Sequence, residues 1–206
     1  MKIAIPDLIS NSYFPVIAAV ELGCFRDEGL DVELELVVPV ENALAALKDG
    51  SLEFLGCSSH LVVGGFPEWR GAKLLCAQSQ GMYWFMVMRS DLKAAPGDLG
   101  ALKGRRIGAA YWVGMALKQL LRERGIDPER DGIEISPIPG AHGAGMSFGV
   151  MAAQALADGR IDGFWANGMG AELAVRRGVG TVVLQGGADV LRNDERLAEA
   201  YLGRTH

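Results

Sequence analysis

Four short stretches of this 206-residue chain gather residue types that suit a small ligand: Asn11-Ser12-Tyr13, Ser58-Ser59-His60, Tyr111-Trp112 with Gly114, and Asn167. A fifth, Gln80-Gly81-Met82-Tyr83 with Gln78 just before it, lies midway along the chain. The set is rich in hydroxyls, amides, aromatic rings and glycine, and poor in carboxylates. Hydroxyls and amides donate and accept hydrogen bonds without carrying charge. Tyrosine and tryptophan supply flat apolar walls. Helix N-termini are expected just after several of these stretches, and their free N–H groups favour an anionic group. The chemistry suits a small organic anion with an apolar body, or a flat heterocycle, better than a cation.

Each residue also has a plainer reading. Tyr111 and Trp112 read equally as core aromatics at a strand end, and Trp165 as core within a strand. Asn11 or Ser12 would serve as the cap of a first helix. His60 reads as a structural histidine with its hydrogen bonds made, Cys57 as a small buried apolar residue, and Arg70 as a solvated loop residue. No catalytic constellation stands out, because GxSxG, HExxH and P-loop patterns are missing. Cys24, Cys57 and Cys76 form no CxxC, and His60, His142 and His206 lack ligand spacing, so neither a metal nor a cofactor is expected. In "RRIGAAYWVG" two aromatics occupy the place where a pyrophosphate needs bare backbone, which argues against a dinucleotide.

The elements that position these residues recur in one order. Strand 2–6 is followed by a helix opening at Pro15, burying Val16, Ile17, Val20 and Phe25 and stopping near Gly29. Strand 31–38, a helix ending at Gly50 and strand 52–57 come next. The second round runs through strand 105–110, a helix from Gly114 to Gly125 burying Met115, Leu117, Leu120 and Leu121, strand 132–138, a helix ending at Gly159 and strand 161–166. "GLDVELELV" from Gly29 parallels "GIDPERDGIEI" from Gly125, and "ALKDGSLEFLG" from Ala46 parallels "ALADGRIDGFW" from Ala155. The alternation implies α/β lobes built on parallel sheets, with 1–84 as lobe 1, 85–184 as lobe 2 and 185–206 as a short helical tail. The alternative is one ordinary α/β sheet with repetitive caps. The crossover 72–99 is a candidate hinge. Ligands of open parallel sheets lie beyond the carboxyl ends of the strands, which is where the first four stretches fall, and the crossover adds Gln78 and 80–83; if the lobes face each other, they line one cleft.

Composition narrows the classes further. The net charge is −5 with no basic stripe, which excludes a nucleic-acid partner. The longest apolar runs, such as "YWFMVM", are too short to span a bilayer. The opening "MKIAIPD" reads directly as a strand, so the chain is expected in the cytoplasm as it stands, and in the periplasm or outside the cell if a leader has been trimmed.

"YFPVIAAVELGCFRDEGLDVELELV" resembles the opening of the nitrate/sulfonate/taurine-type substrate-binding proteins of ABC transporters. "DLGALKGRRIGAA" and "ALADGRIDGFWANG" are similar to the second lobe of that family, and the resemblance covers residues 1–184. It implies a type II periplasmic-binding-protein fold, a small-molecule ligand and a membrane permease as partner. It also implies ligand contacts at Asn11, Ser12, Tyr13, Ser58, Ser59, the 80–83 crossover, Tyr111, Trp112 and Asn167. The cysteine-rich motif of the pyrimidine-synthase branch and the first-loop cysteine of desulfinase relatives are both missing. The family normally completes its first lobe after the second, whereas here "GTVVL" is followed by 22 residues that resemble the C-terminus of branched-chain amino-acid ABC transporter ATPases. An incomplete first lobe would leave an apolar patch and predicts a homodimer. The leading expectation is a solute-binding protein that does no chemistry. A cytosolic biosynthetic enzyme on the same fold, using His60 or a cysteine, and a non-functional fragment are the alternatives.

Overall fold

The computed structural model describes residues 1–79, 84–141 and 147–185. The expected contacts at Gln80, Gly81, Met82 and Tyr83, together with His142 and the expected tail helix, lie outside the described residues. The chain separates into two compact units, Met1–Gln80 with Pro139–Phe148, and Gly81–Ile138 with Gly149–His206. The segment 139–148 therefore belongs to unit 1, where a simple division at residue 84 would assign it to the second lobe.

Unit 1 is built on three parallel strands, β1 (Lys2–Ile5), β2 (Glu33–Leu36) and β3 (Phe54–Leu55), in the order β2-β1-β3. Ala4 and Ile5 are fully buried, and Ala4 packs with Ala43 and Leu52. The helix expected to run unbroken from Pro15 to Gly29 is two helices, α1 (Phe14–Glu21) and α2 (Cys24–Asp27). The break falls at Gly23, whose φ of 79° is left-handed and takes the chain out of the helix. Of the four residues expected to be buried there only Val16 is; Ile17, Val20 and Phe25 are half-buried. Helix α3 (Val40–Asp49) joins β2 to β3, and α4 (Ser59–Gly65) follows β3.

Unit 2 carries a five-stranded sheet with a larger core. Its strands are β4 (Trp84–Arg89), β5 (Arg106–Ala109), β6 (Glu134–Ser136), β7 (Gly163–Asn167) and β8 (Gly180–Gln185), in the order β6-β5-β7-β4-β8. Strands β5, β6 and β7 are mutually parallel, but β4 runs antiparallel to both β7 and β8. The sheet is therefore mixed, where the strand-helix alternation predicts a parallel one. Helices α5 (Tyr111–Glu123), α6 (Phe148–Ala157) and α7 (Gly168–Arg176) complete the unit.

Helix α5 begins three residues earlier than expected, at Tyr111 rather than Gly114. Val113, Leu117, Leu120 and Leu121 form its buried stripe at i, i+4, i+7 and i+8. Met115 sits two residues from the stripe members on either side, so it points the other way and is 55% exposed, contrary to expectation.

The two rounds of strand and helix close alike. Strands β1, β2 and β3 take the same relative places as β5, β6 and β7, with the first strand central. Gly29 and Gly125 both have left-handed φ, 72° and 75°. In each case the glycine N–H donates back three residues (Gly29 to Arg26, Gly125 to Arg122), and the next N–H donates back five (Leu30 to Phe25 O, 2.8 Å; Ile126 to Leu121 O, 2.9 Å). That pair of bonds is the Schellman closure.

At the amino ends of β5 and β7 an ion-pair clamp ties the sheet. The Arg106 Nε and Nη2 groups donate to Asp162 Oδ2 and Oδ1 at 3.1 and 3.2 Å, and the Arg106 backbone N–H adds a third bond to Oδ2 at 3.0 Å. Arg89 Nη1 stands 3.7 Å from Asp162 Oδ1. These bonds, with Arg106 foremost, hold the buried Asp162 carboxyl below the usual range.

Candidate functional site

The loop after β1 is shaped by Asp7. Its Oδ1 accepts from the backbone N–H groups of Ile9 (2.6 Å) and Ser10 (3.3 Å), and its Oδ2 accepts from Ser147 Oγ at 3.4 Å. Ser10 and Ser12 are buried with their hydroxyls 2.9 Å apart. Asn11 is exposed, Tyr13 is half-buried, and Tyr13 N–H donates to Ser10 O at 3.1 Å. Neither Asn11 nor Ser12 caps α1: Tyr13 is the N-cap, with no side-chain bond to the helix. A cavity of about 40 Å³ is lined by Pro6, Asp7, Leu8, Ile9, Leu36, Val38 and Ser147. It has room for ordered water rather than for an organic ligand.

Beyond β3 the chain passes through Gly56 and Cys57 to Ser58, which precedes α4 in extended conformation without a side-chain cap bond. Ser59 and His60 therefore lie in the first turn of α4, where the sequence suggests a loop. Ser59 is exposed, and Ser58 and His60 are half-buried. The Gln78 amide lies against Gly56, so close that a Cβ there would stand 2.6 Å from Gln78 Nε2. Two buried atoms of this group, His60 Nε2 and Gln78 Oε1, make no hydrogen bond. His60 is thus not the satisfied structural histidine of the plainer reading. Burial lowers its pKa below the ordinary value, which favours the neutral ring. Burial also pushes the Cys57 thiol up to about 11.

In unit 2, Tyr111 is 61% exposed and Trp112 is half-buried, their rings meeting edge to face at 5.2 Å. Trp112 Nε1 is buried without a partner. No side chain caps α5, whose N-cap is Ala110. Gly114 does not open the helix as expected. It is buried in the second turn, and its N–H is committed to Ala110 O at 2.7 Å. Asn167 is buried at the end of β7 and caps α7, its Oδ1 accepting from Gly170 N–H at 3.2 Å. Trp165 is fully buried in β7, as the core reading of that residue expects, with its Nε1 unpartnered. Arg70 is exposed and pairs with Glu68.

The sequence stretches thus fall into two groups, one within each unit. Asp7 and Ser147 were missed, since a bond across 140 positions has no local signature. The Asx spacing in "DLIS" signals the Asp7 turn. Among the described residues no group of three or more His, Cys, Asp or Glu is placed to hold a metal, and no helix is long and apolar enough to cross a membrane.

Parallel strands crossed by helices, with uncharged polar and aromatic loops at their carboxyl ends, define the class: the fold is that of the type II periplasmic binding proteins. The chain belongs to the NMT1/THI5-like family, whose profile matches residues 10–185. Among solved structures it is similar to a protein from Bordetella bronchiseptica RB50, at 20% identity and a TM-score of 0.69, covering 98% of this chain and 59% of that one. It is also similar to the alkanesulfonate-binding protein SsuA from Xanthomonas axonopodis pv. citri bound to MOPS, at 16% identity and TM-score 0.62, covering 98% and 70%. The periplasmic nitrate-binding protein NrtA from Synechocystis PCC 6803 matches at 16% identity and TM-score 0.64, covering 98% and 58%. At such identities the likeness establishes the fold. The chain spans about three fifths of the length of the Bordetella and Synechocystis proteins. No curated protein sequence matches.

Proposed function

We propose that this chain is a solute-binding protein that captures a small organic anion or heterocycle on the loops at the carboxyl ends of its strands and delivers it to an ABC transporter permease. The observation that carries this reading is the set of buried polar side-chain atoms without partners, His60 Nε2, Gln78 Oε1 and Trp112 Nε1, on or beside those loops. Buried polar groups are almost always satisfied, and an unmade bond costs free energy that a ligand recovers. The names of SsuA and NrtA, proteins of the same fold, support the same class of cargo. An extracytoplasmic site of action and a homodimer joined through exposed apolar residues of unit 1, such as Leu22, Leu74 and Leu75, belong to this reading. A thermal-shift screen of nitrate, sulfonates, carboxylates and heterocycles tests it, because a ligand that binds only the folded state raises Tm. A stabilising compound is expected, and a flat panel argues against capture. Light scattering at micromolar concentration tests the dimer, and a monomer mass removes it.

A nucleophilic role for Cys57 is disfavoured by the local chemistry. With a pKa pushed up to about 11, only about one Cys57 thiol in ten thousand is ionised at pH 7.

A further inference from the structure

The repeat shared by the two units runs one segment further than the strands of unit 1 show. In unit 2 the chain leaves β7, forms α7, turns at Gly178 and enters β8. In unit 1 it leaves β3, forms α4, turns at Gly71 and enters residues 73–78. The two stretches read "RGVGTVVLQ" from Arg177 and "RGAKLLCAQ" from Arg70. In each the glycine has left-handed φ, 69° at Gly178 and 96° at Gly71, and a glutamine closes the stretch. Residues 73–78 are therefore the counterpart of β8.

The counterpart of β4 is missing from unit 1 among the described residues. Strand β4 lies between β7 and β8 and runs antiparallel to both, so β7 and β8 share a direction. Strand β3, by contrast, pairs only with β1 among the described residues. The Gly56 N–H donates to Ala4 O of β1 at 2.8 Å, so the Leu55 N–H, one residue earlier, faces the open side. Residues 72–79 make no backbone hydrogen bond, and Leu74 and Leu75 are 55% and 70% exposed. The Gln78 amide reaches Gly56, which sets the end of this segment beside the end of β3, and its Oε1 has no donor. Leu74-Leu75-Cys76-Ala77 is apolar at successive positions, the pattern of a strand covered on both faces.

One two-fold axis supplies the absent strand to two copies at once. With the axis normal to the sheet and between the two copies of 73–78, the second copy's segment is reversed. It then enters antiparallel between β3 and 73–78 of the first copy, and the first copy's segment does the same for the second. The order becomes β2-β1-β3, the partner's 73–78, the chain's own 73–78, then the partner's β3-β1-β2. Each copy thereby acquires the order β6-β5-β7-β4-β8 of unit 2.

We propose that the chain dimerises by exchanging residues 73–78, each copy's segment adding to the open edge of the other copy's β3. The inference rests on the homodimer in the reading above and names the backbone ladder that holds it.

Light scattering and amide hydrogen exchange on the full chain at micromolar concentration test the exchange. A dimer mass is expected, with the amides of Leu55 and 73–77 protected in the dimer and exchanging freely on dilution to monomer. Ala77→Pro keeps an apolar residue but removes a ladder N–H, and should raise the dimer Kd by at least about tenfold. The Tm of the dilute monomer should not fall, because Ala77 makes no backbone bond there. Leu22→Ser, outside the segment, should leave the dimer intact. A dimer that tolerates Ala77→Pro, or whose 73–77 amides exchange freely, overturns the exchange and leaves a dimer held by side chains. A monomer whose 73–77 amides are protected fills the place beside β3 from within its own chain, which also overturns the exchange. A monomer with those amides unprotected removes the homodimer and the exchange together, while ligand capture is still read separately by thermal shift.

Discussion

Units 1 and 2 share one plan and differ in how far it is completed. In the repeats β1, β2, β3 and β5, β6, β7 alike, the first strand lies between the second and the third. In unit 2 the third strand, β7, is five residues long and is flanked by β4, with β8 beyond. In unit 1 the third strand, β3, has two residues, and among the described residues it pairs only with β1. The consequence appears in burial. Most of the exposed large apolar side chains among the described residues, including Leu8, Phe14, Leu22, Leu30, Leu74 and Leu75, belong to unit 1. The same local code of strand, helix and capping glycine builds both units. Two extra strands, β4 running against the rest and β8 running with them, separate a sheet with a deep core from one with a thin core.

Substitutions that load one unit and spare the other are the direct way to break this comparison. Leu117→Ala, at a fully buried position in unit 2, should cost about 3–5 kcal/mol. Leu44→Ala in unit 1 should cost about 2 kcal/mol, since a thin core relaxes more readily. Equal losses in chemical denaturation would mean that the two cores are equally consolidated.

Gly170→Ala comes next. Its Cβ would stand 2.7 Å from Gly149 Cα and 2.8 Å from Gly149 O, both backbone atoms that cannot step aside. We expect a loss of about 2–3 kcal/mol. Gly65→Ala in unit 1 meets only the side chain of Leu44, which can rotate, and should cost about 1 kcal/mol or less. A smaller loss at Gly170 than at Gly65 would reverse the comparison.

Asp162→Asn sharpens it through pH. The folded-state pKa of Asp162 is lowered by Arg106, so the clamp's stabilisation is present above the unfolded carboxylate pKa near 4 and is lost as pH falls through the folded value. The variant should be less stable by about 1–2 kcal/mol at pH 7. The gap should close as pH falls below 4, and a gap that stays constant down to pH 2 would remove the clamp from the account. Tyr111→Ala, at an exposed ring, should change stability by no more than about 0.5 kcal/mol. Trp112→Phe keeps most of the ring and removes the unpartnered N–H. It should weaken ligand binding with little change in Tm, as read by calorimetry against the parent.

Much of this plan was legible in the sequence, because the signals are local. A glycine after an apolar period marks the left-handed helix stop, and the two Gly-Leu/Ile-Asp segments close their helices with matching bonds. Direction was not legible. "YWFMVM" reads as an extended apolar run in the crossover, but nothing within six residues says that β4 runs against β7, because pairing partners are chosen by tertiary packing. The start of α5 was not legible either, because the helix opens on the aromatic pair Tyr111-Trp112 after Ala110, with no capping side chain to mark it. The polar loops were found by type. Their hydrogen-bonding state was not, since whether His60 and Gln78 find partners depends on chain segments far away in sequence.

The place of β4 has a consequence for the order of events during synthesis. Strands β1, β2 and β3 are all made within the first 55 residues, so the sheet of unit 1 can close while the rest of the chain is still being translated. Strand β4 leaves the ribosome next, but both of its neighbours, β7 and β8, come after residue 162. Until then "WFMVMR" has neither edge paired, and chains caught in this interval expose an apolar strand open to wrong partners. Yield in the cell should therefore depend on how quickly the last third of the protein follows the first.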